Sequence, residues 1–371
     1  MNYLEKKIKV FGAALDPNDD PLKILAKCTY INRLAQNLID LQIEIVDPYD
    51  GLLKHSKILH QAKFVKLGKV PIESWLTPKP KIEDFHLLDP RTFQEFTNSG
   101  AVAEYSIKIE SYIKEQILPD IPLMIGVDHS LTGGALGALS EKYGPENILV
   151  IIFDAHFDGI PAHISLDLAR YAKEHKEEVN VLSPQQLELH DIEAIKIEDS
   201  YTCASFLEYI IEEGIILPEN LILFGVQDYP GDEMQAEKDK RVLNFVKKYL
   251  DYEKKGVSFI PAQKETAKMI MKLKETLADR QTSFVYLSLD VDVSMFEEVL
   301  AARFMNAIGI KQSILMEAVK IIKKFITETS SELIGVDIME IETFMLNKKL
   351  KKSGEKDKTI ELIDGFISEL F

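Results

Sequence analysis

Six short, uninterrupted apolar runs, separated by helix-like stretches, constrain the fold of this chain more than any other feature. They cover residues 9–14, 122–127, 148–153, 221–226, 284–289 and 333–338. A strand with one wet face alternates apolar and polar side chains, whereas a strand covered on both faces is apolar throughout. Between the runs, periodicity near 3.6 predicts helices over 104–117, 132–142, 204–213, 267–277 and 314–325. This alternation predicts a three-layer α/β/α sandwich with a mainly parallel sheet. It continues from the first run to the last, so the expectation is one domain over residues 1–371. Two segments break the pattern. The proline-containing stretch at about 51–100 is expected to be an irregular excursion, and the charged stretch at about 159–200 an inserted flap. A charge run over 348–358 precedes an amphipathic helix at the end of the chain.

Composition removes several function classes. Lys and Arg number 44 against 60 Asp and Glu, a net charge of −16. Nucleic acid demands a basic footprint, so it is excluded as a partner, and an anionic membrane surface is disfavoured. No run approaches the ~18–20 apolar residues of a membrane span. Only Cys28 and Cys203 occur, too few for a disulfide framework. The start, MNYLEKKIKVFGAALDP, has no apolar stretch of the signal-peptide kind. A cytoplasmic protein is therefore expected, and its acidity would attract a small cation.

Four of the apolar runs end in acids or histidines: Asp128-His129-Ser130, Asp154-Ala155-His156-Phe157-Asp158, Asp290-Val291-Asp292 and Asp337-Ile338-Met339-Glu340. Ligands of parallel α/β sheets sit beyond the carboxyl ends of the strands, so these clusters can converge. Alternation along an extended backbone turns Asp154, His156 and Asp158 to one side and Ala155 and Phe157 to the other. Asp290 and Asp292 are related in the same way. Together with His129 they form a set of four carboxylates and two imidazoles. Such carboxylates repel one another unless cations intervene. Two divalent ions match the four negative charges, and the mixed O/N donor set suits Mn²⁺ best, with Zn²⁺, Fe²⁺, Co²⁺ or Ni²⁺ as alternatives. Two ions ~3.5–4 Å apart bring the pKa of a water into the physiological range.

These motifs resemble those of the ureohydrolase superfamily of arginases, agmatinases and formimidoylglutamases. GVDHS is similar to its GGDHS, DAHFD to DAHxD, SLDVDV to SxDxDxxDP and DIMEI to DIMEVNP, in the family's order. The resemblance implies an arginase-like sheet of about eight strands and a homo-oligomer, a trimer or hexamer. It implies one ion on His129, Asp154, Asp158 and Asp290, and another on His156, Asp154, Asp290 and Asp292. Asp128 and Ser130 would orient His129. Glu340 would pair with a substrate guanidinium, and Asp292 would pass a proton to the leaving amine. The implied reaction is hydrolysis of a C–N bond in a small guanidino compound, releasing urea.

The specificity shell departs from the family. Thr202 stands where the family has a histidine, and His163 in the flap is a candidate replacement as acid/base. Met295 stands where the final DP of the second aspartate motif would begin. In Gln227-Asp228-Tyr229-Pro230-Gly231-Asp232, Asp228 is a candidate substrate contact, although the sequence is also strong turn chemistry. DAHFD is the form common among formimidoylglutamases, so a formimino (amidine) hydrolase is one alternative. A non-catalytic metal-binding relative is another. Cys203 and Thr202 read as helix-start residues, and Gly133-Gly134 as close packing of helix on strand rather than a phosphate cradle.

Overall fold

The computed structural model describes residues 6–18, 20–36, 46–175, 198–304, 309–350 and 354–371. The strands among them are β1 Ile8–Ala13, β2 Phe64–Lys69, β3 Ile121–Gly126, β4 Ile148–Phe153, β5 Leu221–Val226, β6 Ser258–Pro261, β7 Phe284–Asp290 and β8 Glu332–Met339. They form one sheet in the order β2-β1-β3-β8-β7-β4-β5-β6. Every pairing is parallel.

The unbroken apolar runs have a direct cause. In β4 the side chains of Ile148, Val150 and Ile152 enter one core, and those of Leu149, Ile151 and Phe153 enter the other. β1 divides likewise, with Phe11 and Ala13 on the first side and Ile8 and Val10 on the second. The first core is roofed by the helices Ala101–Tyr112, Leu131–Tyr143, Phe206–Glu212 and Lys240–Lys255. The second is closed by Pro48–His55, Thr266–Ala278, Gln312–Thr329 and Thr359–Leu370. Helix ends follow local chemistry. Lys240–Lys255, for example, starts at Asp239, whose side chain accepts from the Arg241 N–H, and stops at Gly256 in the left-handed region.

Two strands escape the sequence pattern because they lie at the edges. β2 is half-exposed along most of its length, and β6 is four residues ending in proline. An edge strand needs neither a continuous apolar run nor a full ladder of donors. The 51–100 stretch thus contributes β2, and also the helix Pro90–Asn98. Of the 159–200 stretch, residues 176–197 lie outside the described residues, and its first part forms the helix Ala162–Glu174. No helix among the described residues is long and apolar enough to cross a membrane.

Because the sheet is parallel, all strands end on one side. The four clusters follow β3, β4, β7 and β8, which are adjacent at the centre of the sheet. That edge is where the site forms.

Candidate metal centre

The DAHFD segment leaves β4 as a loop rather than continuing the strand, yet the predicted alternation survives. Ala155 and Phe157 are fully buried, while Asp154, His156 and Asp158 turn toward the cleft. Phe157 sits among Tyr249, Tyr252 and Phe259, with ring centroids 4.9–5.2 Å away. Asp158 has φ 56°, and its carbonyl accepts from the Leu207 N–H at 3.0 Å, tying the loop to the following helix. Gly225 in β5, at φ 102°, makes room for the loop: a Cβ there would lie 2.3 Å from Val293 and 3.3 Å from the Asp154 carbonyl.

Two groups of side chains converge, and in each the ligand-type atoms lie within 4.8 Å of one another. His129, Asp154, Asp158 and Asp290 form one; Asp154, His156 and Asp292 form the other. His129 Nδ1 lies 3.1 Å from Asp154 Oδ2, 2.9 Å from Asp158 Oδ2 and 3.2 Å from Asp290 Oδ2. His156 Nδ1 lies 2.9 Å from Asp292 Oδ2 and 3.6 Å from Asp154 Oδ1. The six residues singled out from the sequence therefore meet, with Asp154 common to both groups. Asp290 joins only the first. Its Oδ1 is turned back to accept the Asp292 N–H at 2.9 Å, leaving Oδ2 for the cleft. His129 is fully buried, whereas the His156 side chain is 29% exposed, so solvent reaches the cluster from the His156 side.

The electrostatics are those of a cation site. Burial pushes the Asp158 carboxyl up, Asp154 beside it pushes further, and the result is about 8. Burial and the charges of Asp292 and Asp154 push Asp290 well up too. Asp154 also feels burial, but the two facing imidazoles overrule it and hold it at about 2. Burial opposes the His129 imidazolium, yet the surrounding carboxylates raise its pKa well above the ordinary value. Among the described residues, His129 Nδ1, Asp154 Oδ2 and Asp292 Oδ2 are buried without a hydrogen-bond partner. Unpartnered buried polar atoms are costly, and these three belong to the converging groups. The donor set therefore fits divalent cations.

A pH dependence follows. Cations require Asp158 and Asp290 ionised and the imidazoles neutral, so loading must expel protons. Mn²⁺ affinity is expected to rise steadily from pH 6 to 8, where Asp158 ionises, with proton release detectable by an indicator dye. An affinity flat over that range would contradict this arrangement.

Two residues that the sequence reading left without a role set the His129 ring. Ser288 Oγ lies 2.9 Å from His129 Nε2, and Asp337 accepts from Ser288 Oγ at 2.5 Å, from Thr132 Oγ1 at 2.7 Å and from the Tyr286 hydroxyl at 2.5 Å. Ser288 gives its proton to the carboxylate, so it accepts from Nε2–H and leaves Nδ1 as the ligand nitrogen. The clue was a lone serine and a lone aspartate inside otherwise apolar buried strands. Asp128 and Ser130, expected to orient His129 and its loop, are joined across it: Asp128 accepts from the Ser130 N–H at 3.1 Å and from the Ser130 hydroxyl, and it faces Arg303 Nη1 at 3.1 Å.

The remaining candidates are dispersed. His163 pairs with Asp199, Nδ1 to Oδ2 at 2.6 Å, on an exposed helix start, and belongs to neither converging group. Thr202 forms a turn with Ser205 ahead of the helix Phe206–Glu212, the helix-start role expected of it. Asp228 accepts from the Tyr249 hydroxyl at 2.5 Å; burial raises its pKa to about 6, against the pull of nearby His156. Burial also pushes the Cys203 thiol well up, with Asp128 adding to the effect, so it stays protonated. Gly133 and Gly134 do serve close packing, but against Tyr201 and the Ser106 backbone rather than a strand.

An all-parallel α/β sandwich with a buried His/Asp cluster across its central strand ends is thus the class of protein defined here. Within that class, the chain belongs to the arginase family, whose model matches residues 42–353. A curated arginase of Staphylococcus aureus (strain COL) is 27% identical over 246 residues, 66% of this chain and 66% of that protein's own length. Among solved structures, the arginase of Bacillus caldovelox superposes with a TM-score of 0.55 at 17% identity, covering 99% of this chain and 98% of that one. The formimidoylglutamase of Bacillus subtilis gives a TM-score of 0.55 at 15% identity, covering 100% and 89%. At these identities the structural likenesses establish the fold.

Proposed function

We propose that this chain is a binuclear-metal hydrolase that cleaves a C–N bond in a small cationic guanidino compound, releasing urea. The observation carrying this reading is the pair of His/Asp groups sharing Asp154. His129, Asp154, Asp158 and Asp290 would hold one ion and His156, Asp154 and Asp292 the other, with Mn²⁺ the best match to the donors. Bound there, the ions supply Lewis-acid activation of water for attack at the central carbon. The chain's own residues do the rest. Glu340 is 2% exposed, and its Oε2 is buried with no hydrogen-bond partner among the described residues, ready to accept from an amidinium N–H. Asp292, whose Oδ2 lies 2.9 Å from His156 Nδ1, would shuttle a proton from the attacking water to the departing amine. Asp228 would contribute negative charge near the His156 side of the cleft.

A formimino hydrolase is the second reading, favoured by the DAHFD form and by the presence of a single unoccupied Glu340 oxygen, which serves an amidine as well as a guanidine. The test is incubation of Mn²⁺-loaded protein with arginine, agmatine, guanidinobutyrate, guanidinoacetate, guanidine, an arginine-containing peptide and formiminoglutamate, quantifying urea and formamide. Urea from one compound is the expected result. Formamide would transfer the assignment to the amidine branch. No product from any of them, with two ions bound, would favour the non-catalytic relative.

A further inference from the structure

Beside the converging His/Asp groups lies a second buried charge network, built around Arg303. The Arg303 side chain is 4% exposed. Its Nη1 lies 3.1 Å from Asp128 Oδ2 and 3.5 Å from Glu340 Oε1, and its Nη2 lies 3.7 Å from Asp16 Oδ1. Lys27 completes the set, with Nζ 2.8 Å from Asp16 Oδ2. The backbone is fastened as well: the Arg303 N–H donates to the Glu340 carbonyl at 2.9 Å, and Ala302 bridges Ile341 in antiparallel fashion. Glu340 Oε1 also accepts the His129 N–H at 3.2 Å. One oxygen of Glu340 is thus engaged from two directions, while Oε2 is buried and has no partner among the described residues.

We propose that Arg303 is the positioning residue for Glu340, holding Oε1 so that Oε2 alone receives the cationic head of the substrate. This rests on reading Glu340 as the substrate receptor. The charge count supports it. Three carboxyl groups, Asp16, Asp128 and Glu340, face two cationic side chains, Lys27 and Arg303, so the network has one more acidic group than basic ones and a monocation would balance it. Geometry supports it too. A planar guanidinium holds two terminal nitrogens in a fixed fork, so Nη2 can address Asp16 while Nη1 addresses Asp128 and Glu340. The single nitrogen of an ammonium does not offer that spread. Glu340 itself sits at φ 59°, a conformation that a glutamate holds only when its surroundings compel it. The Arg303 backbone and side chain supply that compulsion at adjacent points. With Oε1 occupied, the head of the substrate is read through one oxygen, so an amidinium and a guanidinium should bind with similar strength.

The test uses the Mn²⁺-loaded full chain with methylguanidinium and acetamidinium as probes, and binding is measured calorimetrically. Arg303→Lys keeps the charge and removes the fork; Arg303→Met removes both. In Arg303→Lys, affinity for both probes is expected to fall at least tenfold, with two ions still bound and the melting temperature close to that of the wild type. Unchanged probe affinity in Arg303→Lys would overturn the positioning role while leaving the proposed function intact. If the wild type binds neither probe, the substrate reading fails, and crystal structures of the two forms decide the positioning separately. A Glu340 carboxylate displaced in Arg303→Lys upholds it, and one left in place overturns it. Should Arg303→Met fail to fold, Arg303→Lys carries both measurements.

Discussion

Asp154→Asn is expected to abolish turnover, by at least ~10³-fold, and to leave the centre short of both ions. Losing a residue that merely orients a ligand commonly costs ~10–100-fold in metal affinity or activity, and Asp154 is placed as a ligand itself. It is the one residue common to both converging groups: Oδ1 faces His156 and Oδ2 faces His129. Asparagine preserves shape but removes the charge that answers the two cations. The effect should be visible without a substrate. Saturating a site to 100 times its Kd stabilises a fold by about 2.7 kcal/mol, which in a chain of this size raises the melting temperature by several degrees. Mn²⁺ should raise the melting temperature of the wild type and leave that of Asp154→Asn nearly unchanged. A variant that still binds two ions and retains turnover would remove Asp154 from the centre.

The largest stability effect is expected at Phe157, in the same five-residue motif but facing the opposite way. Its ring is fully buried between Tyr249, Tyr252 and Phe259. Phe→Ala in such a cluster costs about 3–5 kcal/mol through lost burial and the cavity left behind. That is a large fraction of a typical total of about 5–15 kcal/mol. Phe157→Leu should recover most of the loss, because it refills most of the volume. Since Phe157 seats the loop that carries Asp154, His156 and Asp158, the alanine variant should also bind Mn²⁺ more weakly. Urea denaturation gives the first quantity, and metal titration below the transition gives the second. A loss under about 1 kcal/mol would mean that the loop is held from elsewhere.

What could be read in the sequence, and what could not, divides along physical lines. The central strands were legible because burial on both faces leaves an unbroken apolar run, as in β4 and β7. β2 and β6 were not, because an edge strand is partly wet and short. The converging carboxylates and histidines were legible because they terminate those same runs. The support behind them was harder to see. Ser288 and Asp337 gave only the faint sign of polar side chains inside apolar strands, and their partnership spans two strands. Arg303 gave no sign at all: its three carboxylate partners lie at positions 16, 128 and 340, and only tertiary folding brings them together. His163 looked available because an imidazole was missing at Thr202, but spacing does not say where a helix start will point; this one pairs with Asp199.

The position of β8 has a consequence for how the protein is made. β8 is the last of the described strands in sequence but fourth in the sheet, lying between β3 and β7. His129 belongs to the β1–β3 side, and the carboxylates that face it follow β4 and β7 on the other. Until residues 332–339 have been synthesised and threaded between them, the two halves share no strand pairing. A nascent chain on the ribosome therefore has the sequence of a metal centre long before it has the centre. Pairings of such long sequence separation form late and slowly. Convergence of His129 with Asp154, Asp158 and Asp290 is thereby deferred until residues 332–339 are available to pair with both halves.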